Sequence, residues 1–134
     1  YGFGYRGPCL PRDNRSFAAF AKKVGLEYNL GTVTDEINNQ HAKFVCDYFE
    51  KMNSNRKPFY FDSITYKKGT DILTESQQYR LCLDLLDRGY TVYVHNDKKV
   101  TDQIYDYMTT SYGDRVKFVD KEENITEPYF VVNL

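Results

Sequence analysis

The residues best suited to chemistry in this 134-residue chain lie in its opening stretch, Tyr1-Gly-Phe-Gly-Tyr-Arg-Gly-Pro-Cys-Leu-Pro-Arg-Asp-Asn-Arg-Ser-Phe17. Gly2, Gly4 and Gly7 alternate with larger residues, so the backbone can take unusual dihedrals and lie close against a ligand. Pro8 and Pro11 fix the chain on either side of Cys9. Asp13 reads as the N-cap of a helix running through Ala18, Ala19 and Ala21 to Gly25. Cys9 then stands just ahead of a helix N-terminus, with Arg12 and Arg15 nearby, and positive charge of that kind favours the nucleophilic thiolate. Asp13, four residues on, is placed to act as a base beside the sulfur or to position water. The residues alone leave a second reading open, a structural cysteine in a Gly/Pro-rich loop.

Composition narrows the classes. Hydrophobic residues make up 41% of the chain, enough for a packed core. The net charge of −1 is unevenly spread. Residues 1–30 carry five basic against two acidic side chains, and residues 97–127 carry five against eight. The basic end suits an anionic ligand, whereas a nucleic-acid surface would need a larger excess. The three cysteines, Cys9, Cys46 and Cys82, have no metal-ligand spacing and no CxxC pair. That pattern predicts reduced thiols in a cytoplasmic setting, with no metal site and no disulfide scaffold. No apolar run approaches the length of a membrane span and no signal peptide is visible. The chain opens without Met inside a motif, which reads as a piece of something longer.

The elements that must position Cys9 follow in order. Leu26–Gly31 reads as a connector. A long amphipathic helix is predicted over 34–53, capped by Thr34, with Ile37, His41, Phe44, Val45, Tyr48, Phe49 and Met52 at i, i+3, i+4 spacing. His41 reads as a packing residue, as do Cys46 and Cys82. Pro58 ends that helix. Strands are then expected at Phe59–Ile64, Thr91–His95, Val116–Val119 and Tyr129–Asn133. Helices lie between them, one from a Ser76 cap to Arg88 with Gly89 as its stop, the next over 99–111. Alternating strands and helices imply an α/β fold, a Rossmann-like parallel sheet with ligands outside the carboxyl ends of its strands. The first such end, Thr65-Tyr-Lys-Lys-Gly-Thr-Asp-Ile-Leu-Thr-Glu-Ser76, offers two lysines and a fresh helix start, a sensible place for a phosphate.

Two stretches resemble the UDP-glucose/GDP-mannose dehydrogenase family. Gly4-Tyr5-Arg6-Gly7-Pro8-Cys9-Leu10-Pro11-Arg12-Asp13 resembles the family's catalytic loop, Gly-Tyr-Gly-Gly-x-Cys-(Leu/Phe)-Pro-Lys-Asp. Tyr66-Lys67-Lys68-Gly69-Thr70-Asp71-Ile72-Leu73-Thr74-Glu75-Ser76 resembles Phe/Tyr-Lys-x-x-Thr-Asp-Asp-x-Arg-Glu-Ser at the entry to its nucleotide-binding domain. The two stand in family order around the long helix. The departures are Arg6 for a glycine, Arg12 for Lys, Ile72 for the second Asp and Thr74 for Arg, with His95-Asn96-Asp97 where the family often has Tyr-Asp-Pro.

The resemblance implies the C-terminal portion of an NAD-dependent enzyme that oxidises the C6 alcohol of a UDP-sugar to the carboxylate. By it Cys9 carries the sugar through thiohemiacetal and thioester stages and Asp13 assists water. Gly4, Tyr5, Arg6 and Gly7 line the substrate, and Tyr66 and Lys67 face the nucleotide sugar. Residues 1–55 would form the catalytic-cysteine loop and a dimerisation helix, giving a homodimer, and residues 56–134 a Rossmann-like UDP-sugar-binding domain. NAD would be bound mainly by an upstream domain, because Gly2-Phe-Gly-Tyr-Arg-Gly7 has GxGxxG spacing without a preceding strand. The chain alone is therefore expected not to turn over substrate. The departures keep an alternative open, a catalytically dead homologue that binds nucleotide sugars or only dimerises.

Overall fold

The computed structural model describes residues 2–133. Helix α1 (Leu10–Lys23) and the 23-residue helix α2 (Leu30–Met52) come first. A four-stranded sheet with two helical crossovers follows: β1 (Phe59–Phe61), α3 (Gln77–Asp87), β2 (Val92–Val94), α4 (Lys98–Tyr112), β3 (Val116–Phe118) and β4 (Phe130–Val131). The strand order is β3-β2-β1-β4 and every pairing is parallel. Phe59 stands opposite both Val92 and Phe130. The chain steps from β1 outward to β3 and then returns to the far side of β1 with β4. The order therefore reverses at β1, the place where open parallel sheets leave a crevice at their carboxyl ends.

β1 and β2 are buried at every position, as befits strands covered on both faces. Their core continues into Leu81, Cys82, Leu85 and Leu86 of α3, into Val100, Ile104 and Met108 of α4, and into Val45, Cys46 and Phe49 of α2. The Phe49 ring meets Phe59 edge-on at 6.4 Å and Phe130 at 6.1 Å. Arg88 closes the same helix pair from outside, with Nη2 2.6 Å from Asp47 and Nη1 2.7 Å from Glu50. At about 35 Å, α2 is long enough to do two jobs. Its second half belongs to the sheet core, and its first half carries α1.

Two expected helix starts move. α1 begins at Leu10 with Pro11 in its first turn and Cys9 at the N-cap, so Asp13 is an acidic first-turn residue and not the cap. α2 begins at Leu30, four residues ahead of Thr34, because the Asn29 side chain accepts the Thr32 N–H at 3.0 Å. Thr34 turns its hydroxyl back on the Leu30 carbonyl. Gly31, read from sequence as part of a connector, is a buried helical residue where α1 and α2 touch: a Cβ there would lie 2.8 Å from the Asn14 carbonyl oxygen. The expected strands are present but shorter, the first stopping at Phe61 and the last at Val131.

Candidate active site

Cys9 is exposed, and the loop before it crosses from α2 to α3. Several of the loop's polar groups are held by neighbouring side chains. The His41 ring nitrogen Nε2 is 2.7 Å from the Gly2 carbonyl, so that N–H donates. The buried Asn38 donates Nδ2–H to the Tyr5 carbonyl at 3.0 Å, and Gln77 reaches the same oxygen at 3.5 Å. The Tyr5 hydroxyl donates to Asp35 at 3.2 Å and accepts from Asn14 at 3.2 Å. Burial first, and then the Asp35 charge, push the Tyr5 phenol above its ordinary pKa. Arg6 donates to the Gln78 side chain at 3.0 Å and lies over the Phe3 ring, 5.3 Å from its centroid.

The loop meets the stretch after β1 at Gly7. Its N–H donates to the Glu75 carbonyl at 3.2 Å, and a methyl at Gly7 would lie 2.7 Å from the Tyr66 ring. Gly7 also sits at φ +88°, so a side chain is excluded by conformation and by space together. Gly4 is held the same way by space alone, since a Cβ would fall 2.0 Å from Asn38 Oδ1. The two motif-bearing segments, far apart in sequence, are thus in direct contact.

The segment after β1 is braced internally. The Tyr66 N–H donates to the Ile72 carbonyl at 3.0 Å, and Thr65 and Thr70 hydroxyls donate to the Lys67 carbonyl at 2.9 and 2.7 Å. Lys67 itself is exposed. Lys68 is paired with Asp62, whose carboxyl that bond holds below its ordinary pKa, with burial opposing and His95 at 3.3 Å adding to the effect. The segment ends at Ser76, the cap of α3, which accepts the Tyr79 N–H at 3.2 Å and donates to the Ile64 carbonyl at 2.6 Å.

The basic residues expected around Cys9 have other partners. Arg12 pairs with Asp13 at 2.8 Å, both side chains well exposed. Arg15 reaches Glu75 with Nη1 at 2.5 Å and Asp35 with Nε at 3.1 Å, and these bonds, Glu75 first, keep its guanidinium strongly charged. An open cleft of about 520 Å³ runs between Pro8, Arg12 and Ser16 on one side and Thr74 on the other. Cys46 and Cys82 are buried in the core as packing residues, and burial pushes the Cys46 thiol up to about 12 and the Cys82 thiol up as well. Among the described residues no group of three His, Cys, Asp or Glu side chains could hold a metal ion. None of their helices is long and apolar enough to cross a membrane.

Sequence reasoning singled out Cys9, Asp13, Gly4, Tyr5, Arg6, Gly7, Tyr66 and Lys67. The structure gathers Gly4, Tyr5, Arg6, Gly7 and Tyr66 into contacts of one junction, while Cys9, Asp13 and Lys67 stand exposed. It adds Asn38, Asp35, Gln77, Gln78 and Glu75, which hold the junction from outside either loop's reactive end. Only Glu75 carried any signal, as part of the Glu-Ser pair closing the second motif.

The fold is similar to that of part of a UDP-glucose dehydrogenase from the hyperthermophilic archaeon Pyrobaculum islandicum. The TM-score is 0.74 at 25% identity, over 90% of this chain and 27% of that one. The chain has the fold of part of a nucleotide-sugar dehydrogenase. A GDP-mannose dehydrogenase from Pseudomonas aeruginosa shares that fold, with a TM-score of 0.70 at 22% identity over 91% of this chain and 29% of that one. The chain therefore spans less than a third of either enzyme's length. No protein-family profile and no curated protein matches its sequence.

Proposed function

We propose that this chain is the C-terminal part of an NAD-dependent dehydrogenase that oxidises the C6 alcohol of a UDP-sugar to the carboxylate. The observation that carries the reading is the contact of Gly7 with Tyr66 and Glu75, which brings the cysteine loop against the segment after β1 at the switch point of a parallel sheet. A nucleotide sugar laid along that junction would have its sugar toward Cys9 and its nucleotide toward Tyr66 and Lys67. We read Gly2-Phe-Gly-Tyr-Arg-Gly7, which leads into α1 and packs on Asn38, His41 and Tyr66, as part of the substrate site and not as a dinucleotide fingerprint. NAD would be held by residues outside this chain.

The chain's own part in the reaction is at sulfur and water. The Cys9 thiolate adds to the C6 aldehyde to give a thiohemiacetal, which keeps the aldehyde from escaping. NAD, when bound, would accept the hydride in both oxidations, of the C6 alcohol to the aldehyde and of the Cys9 adduct to a thioester. Water, aided by Asp13, attacks the thioester carbon, and the thiolate leaves as the carboxylate forms. Gly4, Tyr5, Arg6 and Gly7 would present the loop to the sugar. Because the Tyr5 hydroxyl and carbonyl are already bonded to protein, Tyr5 would contribute its ring. A homodimer through α2 completes the reading, supported by the exposed Ile37, Phe44, Tyr48 and Met52 along that helix. A cytoplasmic setting agrees with three unpaired thiols.

The test is NADH formation over a panel of UDP- and GDP-sugars by the parent protein that carries this chain, with Cys9→Ser alongside. Two NADH per product with one UDP-sugar, abolished by the substitution, is the expected result. UDP-sugar binding by this chain without oxidation of any sugar by the parent would identify a binding homologue instead.

A further inference from the structure

Glu75 occupies the left-handed region at φ +54°, which is unfavourable for a residue with a Cβ and a long side chain. Strain of this kind persists where the surroundings over-determine a residue, and Glu75 is held from both its backbone and its side chain. Its carbonyl accepts the Gly7 N–H, two residues before Cys9. Its carboxylate takes the Arg15 guanidinium at 2.5 Å, whose Nε is bound in turn by Asp35, the partner of Tyr5. On the other side Glu75 is joined to Ser76, the buried cap that anchors α3 to Ile64. A left-handed backbone at this one position lets the carbonyl face Gly7 while the carboxylate faces Arg15.

We infer that Glu75 is a positioning residue which clasps the Cys9 loop to the segment 66–75, so that order in one segment is order in the other. The inference rests on the nucleotide-sugar reading only for the ligand that would use it, since the clasp is a property of the ligand-free chain. Under that reading a nucleotide sugar seated on Tyr66 and Lys67 would also fix the sulfur that receives its sugar. A simple surface ion pair in a turn would have no such reach.

The experiment is amide hydrogen exchange on the ligand-free chain, read segment by segment beside the melting temperature. Glu75→Asn suits the test, because Asn adopts the left-handed region more readily than Glu while lacking a carboxylate that reaches Arg15. Exchange over residues 4–9 should rise about fivefold, the scale of one partly exposed ion pair. The melting temperature should hold or rise as backbone strain is relieved. Arg15→Gln should give the same local loosening, and the double variant no more than either single one. Unchanged exchange over residues 4–9, or a rise spread over the whole chain with a lower melting temperature, would overturn the clasp. Free UDP is then added as a probe: it should slow exchange at residues 4–9 and 66–67 in the unsubstituted chain, and at 66–67 alone in Glu75→Asn. UDP without effect on the unsubstituted chain would count against the nucleotide-sugar reading, with the ligand-free comparison still deciding the clasp.

Discussion

The three cysteines of this chain meet two environments, and the difference is a matter of water. Cys9 is open to solvent at the start of α1, whereas Cys46 and Cys82 are sealed between α2, α3 and the sheet. Only a thiolate is nucleophilic, and burial holds the Cys46 thiol protonated up to about 12. Iodoacetamide should therefore take Cys9 first and alone, with the other two labelled only after urea unfolds the chain. Mass spectrometry of the quenched reaction reads this directly. The sign of the pH effect follows from the raised pKa. A buried neutral thiol adds stability in full below the unfolded pKa of about 8.5, and that stability is lost as pH rises toward about 12. The melting temperature should accordingly fall across that alkaline window. That Cys9 stands at the start of a helix was legible from Pro8 and Pro11 on either side of it. Its clamp was not, because Arg15, Asp35 and Glu75 are brought together only by the packing of α1, α2 and the segment after β1.

At the scale of the element, local rules succeeded where one side chain decides a boundary. Ser76 was legible as a cap, and it also ties the segment after β1 to α3 through the Ile64 carbonyl. Ser76→Ala removes the cap and leaves that buried carbonyl without its donor, a loss of about 1–3 kcal/mol. Urea unfolding should show it as a lower midpoint at unchanged slope. The start of α2 was misjudged for a physical reason. A glycine argues for a connector when only propensity is counted, yet Gly31 is what lets α1 and α2 approach, and Asn29 supplies the cap one turn earlier than Thr34 would. The Asp13 cap failed similarly, since Pro11 is already preset for a first turn.

The molecule as a whole is lopsided in where its apolar surface goes. Alternating strands and helices made the parallel sheet legible, and the sheet buries its aromatics well. The helical arm does not. Of fifteen exposed large hydrophobic side chains among the described residues, twelve lie between Leu10 and Met52. On α2, Val33, Ile37, Phe44, Tyr48 and Met52 recur along one stripe, with the Phe44 and Tyr48 rings 6.5 Å apart, while Asn38, Val45 and Phe49 turn inward. Monomers seldom leave a stripe of that kind in water. The i, i+3, i+4 pattern read from sequence thus combined two faces, one turned to the sheet and one left exposed, which periodicity cannot separate. If the second face meets its own copy across a two-fold axis, Phe44 and Tyr48 sit where a charge would be buried against a like charge. Phe44→Glu with Tyr48→Glu should then convert a dimer to a monomer in sedimentation equilibrium at micromolar concentration, with far-UV circular dichroism retained. A chain that sediments as a monomer before any substitution would remove the proposed role of α2 as a dimer spine, and leave its inner face as the whole of its structural purpose.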